Sequence, residues 1–339
     1  MRILVTGGAG YIGSHTVLQL LKDQHEVLTY DNFSNSSAET LNRVAVLANS
    51  PALYVQGDIR DAACLDQTFR DFRPQAVIHF AGLKAVGEST QIPLEYYAQN
   101  VNGSIELLRA MQAHDCRNIV FSSSATVYGE ALYLPYDEKH PLQPASAYGR
   151  TKVFIEEIIR DWTRSWDKAS AVLLRYFNPV GADGSGMIGE DPSGIPNNLM
   201  PFIAQVAVGR RDRLSVWGND YDTRDGTGER DYIHVQDLAQ AHLCALTYAA
   251  GTTGTEAINI GTGRNYSVLE MVTAFARASG RDIPYDIQSR REGDVAAMLA
   301  SVDKARDLLG WQAKLDLDDM CASTWNWQSQ NPNGFQNPS

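Results

Sequence analysis

Cysteine is scarce in this chain. The four residues, Cys64, Cys116, Cys244 and Cys321, are widely scattered and form no C-x-x-C pair. That excludes a disulfide framework and predicts reduced thiols in a cytoplasmic setting. Long apolar runs are missing too. None reaches the ~18 residues that read as a membrane span, so no membrane partner is expected. Positive charge is in deficit, with 29 Lys and Arg against 40 Asp and Glu and a net charge of −11. A nucleic-acid backbone or an anionic lipid surface is therefore not an expected partner. The opening stretch, MRILVTGGAGYIG, begins a strand at once and lacks a signal peptide's apolar core and cleavage site. The seven histidines show no ligand spacing, so no metal is expected.

What is present is an ordinary globular composition, 44% hydrophobic and 20% charged over 339 residues. That is ample for one large α/β unit or two packed domains. Short apolar runs recur as RILVT (2–6), EVLTY (26–30), LYVQ (53–56), AVIHFA (76–81), NIVFSS (118–123) and AVLLRYF (171–177). Amphipathic stretches such as 12–22 and 93–113 separate them. This rhythm predicts an α/β fold with a Rossmann-type doubly wound parallel sheet. Past Phe177 the rhythm breaks, and residues 178–233 are rich in Gly, Pro, Asp and Asn. A helix is expected over 234–250, a returning strand at AINIG (257–261), and helices with one strand, IPYDIQ (283–288), in the stretch 267–328. The expected organisation is a dinucleotide-binding domain over 1–177 with a return over about 234–260. A smaller mixed α/β domain over 178–339 interleaves with it. Trp325 and Trp327 are expected to anchor the last helix, and NPNGFQNPS (331–339) reads as a loose tail.

Three motifs carry chemistry. TGGAGYIGS follows the first strand and opens the first helix, with Gly7, Gly10 and Gly13 in a G-x-x-G-x-x-G spacing. Glycines there allow a tight turn and close approach of a pyrophosphate to the helix N-terminus. Asp31 ends the second strand, where a carboxylate accepts from a ribose diol and repels a 2′-phosphate. No Lys or Arg lies between Asp31 and Arg43, which favours NAD over NADP. Second, FSSSATVYG (121–129) ends a strand in serines. Ser122 and Ser123 read as turn residues, and Ser124 as a hydroxyl at the ligand crevice. Third, SAYGRTK places Tyr148 four positions before Lys152, on one helix face. An ammonium there is expected to lower the phenol's pKa and make a general base.

Taken together, TGGAGYIG, DN at 31–32, GDIRD, HFAGLKAVGES, SSSATVYG, YGRTK, LRYFNPVGA, GIPNNLMP, GERDYIHV and RREGD resemble the UDP-glucose 4-epimerases (UDP-galactose 4-epimerases), extended members of the short-chain dehydrogenase/reductase group. The resemblance spans nearly the whole chain, and LRYFNPVGA with NNLMP is more specific than the glycine turn. It implies an NAD-dependent, homodimeric enzyme that interconverts UDP-hexoses through a 4-keto sugar. Catalysis would rest on Ser124, Tyr148 and Lys152. NAD would be bordered by Gly7, Gly10, Tyr11, Ile12, Gly13, Asp31, Asn32, Asn35, Ser36, Asp58, Ile59, Phe80, Ala81, Gly82, Lys84, Asn100, Ser122, Tyr148, Lys152, Tyr176 and Phe177. The UDP-sugar would meet Lys84, Ser124, Ala125, Thr126, Tyr148, Asn178, Asn198, Leu199, Ser215, Val216, Trp217, Arg230, Arg291, Asp294 and Met298. In the resembling family, position 298 flanks the sugar's 2-substituent. Tyrosine there accompanies restriction to glucose and galactose, and smaller residues such as cysteine accompany acceptance of N-acetyl sugars.

Several of these residues have competing readings. Arg230 and Arg291 are planar donors suited to a diphosphate. Trp217 suits either a uracil face or core packing. Asn178 suits either a sugar hydroxyl or a turn cap. Asp58 suits either an adenine amino group or a helix cap in DIRD. Gln99 stands where some members carry a second Asn. Two other functions compete. A nucleotide-sugar 4,6-dehydratase or decarboxylase would carry an acid just beyond the active-site hydroxyl, yet the stretch is Ser124-Ala125-Thr126. A catalytically silent NAD-binding scaffold would have no use for Tyr148, Lys152 and Ser124 together.

Overall fold

Each short apolar run in the first half becomes a strand of a parallel sheet. In this computed structural model, residues 1–335 are described except 193 and 292. In chain order the strands are β1 (Arg2–Thr6), β2 (Glu26–Asp31), β3 (Leu53–Gln56), β4 (Ala76–His79), β5 (Asn118–Ser122), β6 (Ser170–Tyr176), β7 (Asn178–Val180), β8 (Leu214–Trp217), β9 (Glu229–His234), β10 (Gly254–Ile260), β11 (Asn265–Ser267), β12 (Tyr285–Gln288) and β13 (Ala297–Met298). Seven pair in the order β10-β6-β5-β4-β1-β2-β3, all parallel. The chain runs outward from β1 to β3, then returns to β4 on the other side of β1. Carboxyl ends at such a reversal open the crevice where ligands bind.

Alternation along the strands fills both faces. Ile3, Val5, Ile78, Val120 and Val172 pack with residues of the helices Tyr11–Lys22 and Val235–Ala250. Leu4, Val77, Ile119, Phe121 and Leu173 face the helices Ala62–Phe72, Gly103–Ala113 and Ala147–Ser165. Burying such side chains stabilises the fold by roughly 1.5–3 kcal/mol each, and covering both faces makes these strands read as continuous apolar runs. Residues 235–260 return to this sheet through the helix Val235–Ala250 and β10.

The rest of the second half makes its own core. Strand β9 pairs with β7, β11 and β13, and β8 pairs with β12. Met200, Ile203, Val216, Tyr232, Met271 and Phe275 cluster beneath them. The sequence pattern did not foretell β7, β8, β9, β11 or β13. Strands β7, β11 and β13 have only two or three residues, and β8 and the six-residue β9 are held by partners far along the chain. The expected helix over 93–113 is instead broken into Pro93–Tyr96, a π-helical turn Tyr97–Asn102, and Gly103–Ala113. Within that turn Asn100 is buried. It accepts from the Leu83 N–H and donates to the Leu83 carbonyl and to Thr151 Oγ1. The tail also differs from expectation over 331–335. The Phe335 N–H donates to Asp191, and its ring packs on Trp327. Residues 336–339 lie outside the described residues.

Candidate active site

Two glycines of the turn, Gly7 and Gly13, sit where no side chain fits. Gly7 has φ +70, and a Cβ there would sit 2.6 Å from the Ala81 main-chain nitrogen. A Cβ on Gly13 would run into the Gly7 carbonyl oxygen. The helix Tyr11–Lys22 that follows has no side-chain cap at Gly10 and no acid in its first turn, so its N–H groups remain available to an anion. Asp31 closes the same corner. Its Oδ2 accepts from the Ala9 N–H at 3.0 Å, and Oδ1 accepts from the Phe33 N–H and Ser36 Oγ at 2.9 Å each. Arg43, the next cation along, is committed elsewhere. It donates to Glu39, the Met187 carbonyl and Asn331, and lies over the Trp327 and Phe335 rings.

Neighbouring strand ends gather the other cofactor-side candidates. Asp58 is ion-paired with Arg60 and accepts from Asn32 Nδ2 and, more weakly, Gln99 Nε2. The Arg60 hydrogen bonds hold its carboxyl well below the usual carboxylate range. The competing cap reading for Asp58 falls to Asp61 instead, which caps the helix Ala62–Phe72. Asn35 is exposed beside this corner. The Ile59 side chain is core, and Phe80 turns its ring onto His242, so both offer the crevice mainly backbone. Ala81, Gly82 and Lys84 follow β4. Ser122 and Ser123 are not free turn residues. Ser122 Oγ bonds Tyr176 Oη at 2.7 Å, and Ser123 Oγ donates to Glu156 at 2.6 Å, because both are drawn inward by buried polar partners. Phe177 is buried among Tyr136, Val127 and Ala300.

Tyr148 and Lys152 do share a face of the helix Ala147–Ser165, which Ser146 caps by accepting from the Gly149 N–H. Both are nearly buried, at 7% and 5% exposure. Lys152 Nζ donates to the Ser122 carbonyl at 2.7 Å and lies 4.7 Å from the Phe121 ring centre and 5.7 Å from that of Tyr148. The expected electrostatics are reversed. Burial raises the Tyr148 pKa well above that of a free phenol, Tyr176 adds to the rise, and the Ser124 hydroxyl works against it. Burial also lowers Lys152 to about 7. Desolvation dominates both shifts because little water reaches either group. Ser124 caps the short turn Ala125–Val127 and accepts from the Thr126 N–H and Oγ1 at 3.2 and 3.0 Å.

On the other side of the crevice, Arg230 of β9 is paired in register with Met298 of β13, so both project to one face. Asp294 Oδ1 accepts from Arg291 Nη2 at 2.9 Å and lies 4.0 Å from Arg230 Nη2. Glu190 joins two candidates from different halves of the chain, Lys84 at 3.4 Å and Asn198 at 3.1 Å. Asn178 starts β7, and Leu199 opens the helix Leu199–Ala207. Trp217 is 44% exposed, which settles against core packing. Ser215 is half-buried, while the Val216 side chain is 1% exposed in the small core. Val216 therefore has only its main chain to offer.

Sequence reasoning missed the residues that brace this set. Glu156 and Arg175 form a buried ion pair beneath Ser123. Thr151, also unforeseen, donates from Oγ1 to the Tyr148 carbonyl and accepts from Asn100, already expected on the cofactor side, so that the two tie the 82–83 segment to the helix carrying Tyr148. One signal was available: Glu156 stands four positions after Lys152, on the same helical face.

A parallel sheet with a glycine turn at its reversal, an acid ending β2, and a buried Ser, Tyr and Lys at the next strand ends defines a dinucleotide-dependent oxidoreductase-type enzyme of the short-chain dehydrogenase/reductase class. Comparison with known proteins narrows this. A family profile described as GDP-mannose 4,6 dehydratase matches residues 4–324. UDP-glucose 4-epimerase of Bacillus subtilis is 54% identical over 336 residues, covering 99% of each chain. The human UDP-glucose 4-epimerase is 55% identical over 341 residues, covering 98% of each. A crystal structure of the Bifidobacterium longum UDP-glucose 4-epimerase with NAD+ and UDP is 49% identical, with a TM-score of 0.95 over 98% of this chain and 100% of that one. The chain belongs to the UDP-glucose 4-epimerase family. The dehydratase alternative is not favoured, since no carboxylate follows Ser124 at Ala125 or Thr126.

Proposed function

We propose that this chain interconverts UDP-glucose and UDP-galactose with NAD as its resident cofactor. The observation that carries the reading is the burial of Tyr148 and Lys152 side by side on one helix face, with Ser124 acting on the phenol, on the same crevice as the glycine turn. NAD, when bound, accepts a hydride from sugar carbon 4 and returns it, so no outside redox partner is consumed. The turn from Gly7 to Gly13 and the helix start at Tyr11 fit its diphosphate, and Asp31 with Ser36 fits the adenosine ribose. Tyr148 Oη takes the proton of the sugar 4-hydroxyl as the ketone forms and gives it back after the sugar has turned its other face; the positive charge of a bound nicotinamide would favour the phenolate that burial alone opposes. Ser124 orients the sugar oxygen. Arg230 and Arg291 grip the diphosphate of UDP, which anchors the substrate at a distance from the reacting carbon and leaves the sugar free to turn.

Two measurements on the purified protein test this. UDP-galactose is expected to give UDP-glucose without added NAD, and denaturation is expected to release NAD at near one per chain. Release of NADP, or turnover that depends on added NAD and accumulates NADH, would refute the reading.

Substrate range is expected to depend on Met298. It is half-buried beside Arg230, and methionine is flexible enough to fill or vacate irregular space. UDP-glucose and UDP-galactose are therefore expected to be preferred, with slower turnover of UDP-N-acetylglucosamine and UDP-N-acetylgalactosamine. Pocket discrimination of this size is worth ~1–3 kcal/mol. Met298→Tyr is expected to suppress the N-acetyl activity and Met298→Cys to raise it, in kcat/KM compared across both sugar pairs. If Met298→Tyr leaves the N-acetyl activity unchanged, or Met298→Cys fails to raise it, Met298 is not the gate.

The enzyme acts as a cytoplasmic homodimer in this reading. In support, no described helix is long and apolar enough to cross a membrane. Leu94 and Phe154 stand exposed at 80% and 48% on the helices Pro93–Tyr96 and Ala147–Ser165, a pairing of apolar surface that a second copy would cover.

A further inference from the structure

We propose that Glu156 is a positioning residue for this reaction, holding Lys152 in its charged form and fixing the chain that carries Ser124. The proposal rests on the epimerase reading. Several contacts converge on the Glu156 carboxylate, which is wholly buried. Arg175 of β6 reaches both oxygens, Nε to Oε1 at 2.9 Å and Nη2 to Oε2 at 2.6 Å. Ser123 Oγ, just past β5, donates to Oε1 at 2.6 Å. Arg160 Nη2 lies 3.9 Å from Oε2. A buried ion pair of this kind adds little net stability over an apolar pair of the same size, so its place one turn from Lys152 calls for a functional reason.

The surroundings of Lys152 supply it. Its own helix presents Tyr148 and Glu156. Strand β4 presents His79, hydrogen-bonded to Thr6 Oγ1 and Ser104 Oγ and kept neutral by burial. The end of β5 presents the Ser122 carbonyl and the Phe121 ring. Strand β6 presents Tyr176, bonded to Ser122 Oγ, and Arg175, already held by Glu156. Glu156 is the carboxylate that favours the ammonium against its burial. Its bond to Ser123 acts on the neighbouring residue, Ser124. One side chain thus connects the hydroxyl-bearing turn to the sheet, one helical turn from the ammonium.

The test is the pH dependence of kcat/KM on UDP-galactose for the holoenzyme and its variants. Glu156→Gln keeps the shape and an acceptor for Ser123 but removes the charge. Without the carboxylate the ammonium is less favoured, so the alkaline limb is expected to move to lower pH by ~1–3 units. Glu156→Asp keeps the charge and is expected to keep the wild-type limb. Glu156→Gln strands Arg175 and risks unfolding, so Glu156→Gln with Arg175→Gln is measured beside it, with a smaller shift of the same sign expected. An alkaline limb that stays in place in the folded charge-removed variants overturns the proposal and leaves Glu156 a purely structural residue. A wild-type chain that does not turn over UDP-galactose overturns the epimerase reading, and this proposal with it.

Discussion

Tyr148→Phe is expected to lower turnover of UDP-galactose by at least ~10²-fold, the scale of losing a positioned general acid and base. In the proposed reaction the phenol is the group that exchanges a proton with the sugar hydroxyl. Its ring is buried, and phenylalanine keeps that ring, so folding and cofactor content are expected to stay as in the wild type. Thermal melting and the NAD released on denaturation check this independently of activity. Turnover near the wild-type level would transfer the base role to Ser124. Burial already pushes the Tyr148 pKa up and Lys152 down to about 7. Removing the remaining positive charge with Lys152→Met can only disfavour the phenolate further, so the acid limb of the activity profile is expected to move to higher pH. An unmoved acid limb would show that Lys152 does not act on the phenol.

The largest expected stability effect belongs to Arg175. Its guanidinium is 2% exposed and bonds Glu156 twice, with further contacts to Tyr128 Oη at 3.2 Å and the Glu138 carbonyl at 3.4 Å. Arg175→Leu leaves a charged carboxylate wholly buried with its main partner gone. Breaking one side of such a pair costs about 3–5 kcal/mol, which for a chain of this size means a melting temperature lower by on the order of 10 °C. Adding Glu156→Leu removes the stranded charge and is expected to return much of the loss. Equal melting temperatures for wild type and Arg175→Leu would show that the pair is solvated or dispensable.

Much of the molecule can be read along the chain. The runs at 2–6, 26–30, 76–79, 118–122 and 171–176 are strands because a parallel sheet covered on both faces needs unbroken apolar segments, while 53–56 adds an exposed edge strand. The glycine turn is legible because only glycine tolerates φ +70 against the Ala81 backbone. The shared face of Tyr148 and Lys152 follows from helical spacing alone.

What the sequence could not state depends on residues brought together from afar. Strand β9 takes its partners from 178–180, 265–267 and 297–298, so no local pattern announces it. The turn over Tyr97–Asn102 forms where Asn100 finds Leu83 and Thr151. Arg175 and Glu156 meet across a strand and a helix. The sign of the Tyr148 shift was the furthest from reach. Spacing says which charges are neighbours, and neighbour charge alone would lower that pKa. How much water is left around them is decided by everything that packs over the pair, and here the loss of water is the stronger effect.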